Sequence, residues 1–223
     1  VLASGMSLLD AKGAAAVLMD VNNGEIISLS SLPDFDPNHR PKLPTSGDPA
    51  NSPLFNRAIQ GVYELGSTFK IFAIAQALEL KIVSPETIIN VSGPLSWGKF
   101  KIRDYHNYGS ELPVKKVISK SSNIGTARIA REIGSANQQK FLKSLGFFDT
   151  VPLEMVEASG GKPLLPKKWS ELSTMTISYG HGLSATPLHL AAAYASIGNG
   201  GYKVTPTLQV QENYKYGDRV ISE

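Results

Sequence analysis

Residues 71–80 are apolar almost all round, interrupted only by Gln76 and Glu79. With no Gly or Pro inside it, the run predicts a buried helix. Two other apolar stretches, 14–21 and 25–30, flank Asn22-Asn23-Gly24. Asn-Gly between such stretches predicts a β-hairpin. Residues 33–53 are rich in Pro, Asp, Asn and Ser and predict a long surface loop. Residues 91–108 mix glycine, proline and aromatics and predict irregular structure with short strands. A helix is expected to start over 112–118, with Pro113 tolerated in its first turn. Another is expected over 126–133, stopped by Gly134, and Ser135 is expected to cap a third over 138–145. Residues 147–166 predict a loop and 169–177 a helix. Thr186-Pro187 opens an apolar helix over 188–197, closed by Gly198-Asn199-Gly200-Gly201. Residues 202–210 could form a strand.

An isolated two-stranded hairpin is marginal in water and needs partner strands. The pattern offers few, so the expected fold is helix-rich α+β with an antiparallel sheet that is incomplete in this chain. At 223 residues, with 42% apolar and 18% charged side chains, the composition is globular. The net charge of +3 is mild and unclustered, which argues against a nucleic-acid partner. There is no cysteine, so thiol catalysis and cysteine-based zinc or disulfide frameworks are excluded. No apolar run approaches the roughly 20 residues that cross a bilayer, and Val1-Leu2-Ala3-Ser4 is no signal peptide. A start without Met and an unpunctuated end at Arg219–Glu223 are read as an excised piece of a longer protein.

The predicted helix 71–80 is preceded by Gly66-Ser67-Thr68-Phe69-Lys70. Residues three apart on a helix are neighbours, so the Lys70 amine can reach the Ser67 hydroxyl. Buried lysines lose their protons readily and serve as bases, which a serine nucleophile requires. The helix N-terminus adds N–H groups for a developing oxyanion. The spacing itself is not selective: Ser96/Lys99 and Ser159/Lys162 also match. Both lie in glycine-rich loop sequence, where nothing fixes the two side chains together. The bland alternative makes Ser67 a helix cap and Lys70 a surface lysine. Phe69, Ile71 and Phe72 are poor company for a solvated lysine.

Ser121-Ser122-Asn123 sits between two predicted helices. A Ser-x-Asn turn can present a hydroxyl and an amide on one side. Ser135-Ala136-Asn137 also matches and is read as a cap. Of the histidines, His39 falls in the surface loop and His189 on an apolar helix, where a packed core residue is expected. His181 lies between Gly180 and Gly182 and is given no chemical role. Asp104 and His106 lack a third ligand nearby, so no metal is expected. The pairs Lys115-Lys116 and Lys167-Lys168 read as solvated faces.

Gly-Ser-Thr-Phe-Lys followed by Ser-Ser-Asn resembles two of the three signatures of penicillin-binding proteins and serine β-lactamases. The resemblance extends to residues 16–26, Asn56-Arg57-Ala58, Val62-Tyr63-Glu64, and Tyr179-Gly180-His181-Gly182 leading to Thr186-Pro187-Leu188. Ala192-Ala193-Tyr194-Ala195 and Asn199-Gly200-Gly201 belong to it as well. It covers roughly residues 14–205 and looks like class B penicillin-binding proteins, closest to the cell-division branch, penicillin-binding protein 3. It implies an α/β sandwich of the β-lactamase/transpeptidase-like fold, with residues 1–223 a partial transpeptidase domain. It also implies peptidoglycan D,D-transpeptidation, with Ser67 the acylated nucleophile, Lys70 the base, Ser121 the proton shuttle and Asn123 the substrate-amide ligand. Stem peptides and β-lactam antibiotics are the implied ligands, with no cofactor and no metal. Other cell-division and cell-wall synthesis proteins are the implied partners. The implied location is the periplasmic face of the inner membrane, anchored by an N-terminal helix not present in this chain.

Two departures qualify the resemblance. Leu65 stands where the family carries proline. The third signature, Lys-Thr/Ser-Gly, is absent; Lys215-Tyr216-Gly217 lacks its hydroxyl residue. That triplet binds the substrate carboxylate and its strand supplies an oxyanion N–H, so residues 1–223 alone are expected to have little activity. A serine β-lactamase would need a Glu to activate the deacylating water, and Glu154, Glu157 and Glu171 do not carry the pattern. A non-catalytic β-lactam sensor or scaffold is the alternative outside enzymes. A Ser-His-Asp hydrolase lacks its Gly-x-Ser-x-Gly elbow.

Overall fold

The computed structural model describes residues 1–222; Glu223 lies outside the described residues. A short helix α1 (Leu2–Leu8) comes first and buries none of its residues. The Asn-Gly hairpin then forms where the pattern puts it. β1 (Ala14–Met19) and β2 (Ile26–Leu32) pair antiparallel with Val17 opposite Leu29 and a register shift at Leu18/Met19. One hairpin face, with Ala15, Val17, Ile26 and Leu29, packs on Ala58, Ile59 and Leu188. On the other face Leu18 and Ile27 stay 58% and 65% exposed.

The helical body is built around α2 (Lys70–Glu79). Against it pack α3 (Val114–Ser119), α4 (Asn123–Ile133), α5 (Ser135–Ser144) and α6 (Glu171–Ser178). Its near-continuous apolar surface has a structural reason: it is contacted on several sides. Phe72 meets Phe69, Phe141, Leu142 and Phe147 in one cluster, whereas Ile74 and Ala77 meet Val114, Val117, Ile129 and Ile133 in another. Each large side chain buried this way stabilises the fold by roughly 1.5–3 kcal/mol.

The remaining strands form short antiparallel pairs. β3 (Tyr63–Glu64) pairs with β8 (Ser184–Ala185), β4 (Ile88–Asn90) with β7 (Glu111–Pro113), and β5 (Leu95–Trp97) with β6 (Phe100–Ile102). With α7 (Pro187–Gly198) the described residues make a mixed α+β fold.

Three local expectations change. Residues 202–210 form no strand, only isolated bridges at Tyr202 and Thr207; Pro206, lacking an N–H, interrupts any ladder there. Ser135 does not cap α5. Gly134 occupies the cap position at φ +78, ψ 157, and Ser135 is already the first helical residue. Only glycine takes that conformation at little cost, so the chain turns one residue earlier. The stretch 147–166 contains a 3₁₀ turn, Val156–Gly160.

Candidate active site

Ser67 lies in a 3₁₀ turn, Gly66–Phe69, that runs directly into α2 at Lys70. Gly66 takes φ +58, which glycine alone adopts freely. Leu65 keeps φ −83, close to the range a proline would impose, so the substitution leaves the entry angle little changed. The turn is clamped from the β8 side. The Gly66 N–H donates to the Gly180 carbonyl at 3.1 Å. A Cβ on Gly180 would fall 2.0 Å from the Gly66 oxygen, and Gly180 itself sits at φ +86. Glu64 accepts from the Gly182 N–H at 2.6 Å and lies 3.3 Å from His181 Nδ1. Tyr194 donates its hydroxyl to the Thr68 carbonyl at 2.6 Å.

This anchoring divides the turn into two faces. Ser67 and Thr68 are exposed, whereas Phe69 and Lys70 are buried. Phe69 packs against Phe72 and Phe147 with ring centroids 5.0 and 4.9 Å away, mostly edge to face. Such aromatic contacts fix the turn to the core.

Lys70 is only 2% exposed. Its Nζ donates to Ser67 Oγ at 3.1 Å, to Ser121 Oγ at 2.7 Å and to the Ser121 carbonyl at 2.5 Å. These are the three donors an ammonium has. Burial penalises its charged form and lowers its pKa to about 8, against a smaller upward pull from Asp104. A lysine poised there can be neutral in a useful fraction near neutral pH, able to take a proton from Ser67 and return it through Ser121.

Ser121 reaches Lys70 because of how α3 ends. The Ser122 N–H bonds to the Val117 carbonyl, and the Ser121 N–H to Ile118. This is a Schellman motif, whose closing residue is left-handed and usually glycine. Here that residue is Ser121, at φ +58. The left-handed turn directs both its carbonyl and its hydroxyl at Lys70, at a strain of about 1 kcal/mol or more. Ser122 then caps α4, its Oγ accepting from the Gly125 N–H at 2.9 Å. Asn123, the first residue of α4, donates its amide to the Arg103 carbonyl at 3.0 Å. Its Oδ1 is the amide atom left to meet an incoming N–H.

The structure therefore brings Ser67, Lys70 and Ser121 into one hydrogen-bonded group, with Asn123 two residues beyond. The other residues singled out by sequence fall elsewhere. His189 is a core residue, 3% exposed, with Nδ1 2.7 Å from Thr186 Oγ1 and Nε2 2.8 Å from the Asp149 carbonyl. Glu154 holds Thr207 and Leu208, and Glu171 pairs with Arg131. Among the described residues no three His, Asp or Glu side chains group to hold a metal ion, and no helix is long and apolar enough to cross a membrane.

Sequence reasoning missed Asp104 and Tyr194 as supports of the site. Asp104 accepts from Ser122 Oγ at 2.7 Å and from the Ile124 N–H at 2.9 Å. No local spacing could have signalled it, because the contact depends on where the β5–β6 hairpin docks.

Residues 14–223 match the family model described as the penicillin binding protein transpeptidase domain. A probable peptidoglycan D,D-transpeptidase FtsI of Caulobacter vibrioides is 34% identical over 219 residues, covering 95% of this chain and 35% of that protein. The peptidoglycan D,D-transpeptidase FtsI of Escherichia coli K12 is 32% identical over 213 residues, covering 96% of this chain and 35% of that protein. The chain thus spans about a third of the length of these curated relatives. The solved apo TP domain of Burkholderia pseudomallei penicillin-binding protein 3 is 29% identical with a TM-score of 0.83, covering 99% of this chain and 61% of that one. On the match over residues 14–223, the chain belongs to the penicillin-binding protein transpeptidase domain family.

Proposed function

We propose that this chain carries the acyl-transfer residues of a peptidoglycan D,D-transpeptidase that cross-links stem peptides and is acylated by β-lactams. The observation that carries the reading is the Lys70 amine, 3.1 Å from Ser67 Oγ and 2.7 Å from Ser121 Oγ. Neutral Lys70 takes the Ser67 hydroxyl proton while Oγ attacks the carbonyl of the penultimate D-alanine. The Ser67 N–H, which the first turn of the helix leaves unused, faces the developing oxyanion. The peptide C–N bond breaks, and the departing D-alanine amine takes its proton from Lys70 through Ser121. The acyl-Ser67 ester is then attacked by an amine of a second stem peptide, which restores the serine. Asn123 Oδ1 receives a backbone N–H of the donor peptide. In a β-lactam the broken C–N bond lies in the ring, so the amine stays tethered and the ester persists.

The likeness to relatives named FtsI and to penicillin-binding protein 3 supports a septal role on the periplasmic face of the inner membrane. It supports partners among other cell-division and cell-wall proteins as well. The test is cross-linking of stem peptides by the full-length protein with and without Ser67→Ala. Loss of cross-linking in the variant is expected; retained cross-linking would remove Ser67 from the reaction. Catalytic hydrolysis of a chromogenic cephalosporin, rather than capture of one equivalent, would contradict the transpeptidase reading in favour of a β-lactamase.

A further inference from the structure

The Schellman turn that ends α3 aims Ser121 at Lys70 in a strained left-handed conformation. A second hold on that turn comes from a separate hairpin. Leu95 and Ile102 of β5 and β6 are buried with Ile124 and Ala127 of α4 and with Met175 and Tyr179. That packing hangs residues 103–104 over the start of α4. Three hydrogen bonds then tie the two segments: Ser122 Oγ to Asp104 Oδ2, the Ile124 N–H to Asp104 Oδ1, and Asn123 Nδ2 to the Arg103 carbonyl. A carboxylate at a helix N-terminus that also accepts a hydroxyl is a strong, directional anchor.

We propose that Asp104 is a positioning residue for the acyl-transfer site: its carboxylate fixes the Ser121–Asn123 turn against Lys70 and sets a negative charge behind that turn. The proposal rests on the transpeptidase reading for its consequence on rate, but not for its electrostatics. Three neutral dipoles face Lys70, namely the Ser67 hydroxyl and the hydroxyl and carbonyl of Ser121. The Asp104 carboxylate supplies the charge that bears on it, and it favours the protonated amine. Without that charge, burial alone would act on Lys70. Asp104 therefore has two separable effects, one on geometry and one on the pH at which Lys70 becomes a base.

Two substitutions divide them. Asp104→Asn keeps the shape and an acceptor for the Ile124 N–H but removes the charge. Ser122→Ala keeps the charge but breaks the bond to the carboxylate, together with the cap on the Gly125 N–H. In full-length protein, Lys70 is followed by NMR titration of its side chain, and acylation by a fluorescent penicillin is followed across pH. For Asp104→Asn, Lys70 should titrate at lower pH than in the wild type. The acid limb of acylation should move the same way. For Ser122→Ala, acylation should slow by roughly tenfold, one hydrogen bond to a charged group, with the limb in place. Identical Lys70 titration in wild type and Asp104→Asn would overturn the charge role, and an unaltered rate in Ser122→Ala would overturn the anchoring role. The titration needs no reaction, so a wild type that never labels with penicillin would count against the transpeptidase reading and not against this one.

Discussion

The chain contains the same Ser-x-x-Lys spacing in three places, and the structure treats them differently. Ser67 and Lys70 straddle the junction of a 3₁₀ turn and a buried helix, and their side chains meet. Ser96 lies in β5 and Lys99 in the turn after it; both are exposed, and the Lys99 amine rests 5.8 Å from the Phe100 ring. Ser159 bonds back to the Val156 carbonyl within its own 3₁₀ turn, and Lys162 points to solvent. Only the first pair has a lysine taken out of water. Spacing places two side chains within reach, but burial is what lowers the pKa of one of them.

The largest effect should come from removing the proposed nucleophile. Ser67→Ala should abolish covalent capture of penicillin by the full-length protein, while Ser96→Ala and Ser159→Ala leave it unchanged; gel fluorescence with labelled penicillin reads all three. Next, Lys70→Met, which keeps the length and burial of the side chain but cannot accept a proton, should slow acylation by roughly 10²–10⁴-fold. The corresponding changes at Lys99 and Lys162 should have no effect on the same stopped-flow measurement.

Gly180→Ala tests the clamp on the Ser67 turn. The added methyl would meet the Gly66 backbone at a position already at positive φ. A loss of about 3 kcal/mol in denaturant unfolding is expected. A comparable effect follows from pH. Lys70 holds its proton less tightly in the folded chain, about 8 against the ordinary 10.5. Between those values the unfolded chain carries more protons, so this group's contribution to stability rises with pH. It gains on the order of 3 kcal/mol from end to end, and the full penalty applies below the folded value. Lys70→Met should flatten that rise in thermal unfolding measured across the window. The smallest effect has the opposite sign. Ser121→Gly relieves the left-handed strain and should stabilise the fold by about 1 kcal/mol, while slowing acylation because the relay hydroxyl is gone.

Much of this was legible in the sequence. The hairpin at Asn23-Gly24, the buried helix after Ser67 and the helix opened by Thr186-Pro187 follow from turn chemistry and periodicity, and each forms as read. Ser67 and Lys70 could be picked out because Phe69, Ile71 and Phe72 are poor company for a solvated lysine, whereas Ser121 and Asn123 stood out only through the resemblance of Ser121-Ser122-Asn123 to a family signature. Other features were hidden for a physical reason. The reach of Ser121 depends on a helix ending in a left-handed residue, and serine does not announce that as glycine would. Asp104 meets the turn only after β5 and β6 dock through Leu95 and Ile102. The failure of residues 202–210 to form a strand was marked in the sequence by Pro206.

The central claim is that Ser67, of the three serines with a lysine three residues on, is the one activated by it. Mass spectrometry of full-length protein after penicillin treatment tests this most directly. A single adduct on the peptide bearing Ser67, absent in Ser67→Ala and slow to form in Lys70→Met, is the predicted result. An adduct on Ser96 or Ser159, or a Ser67 that stays unmodified while the folded protein binds the drug, would contradict it.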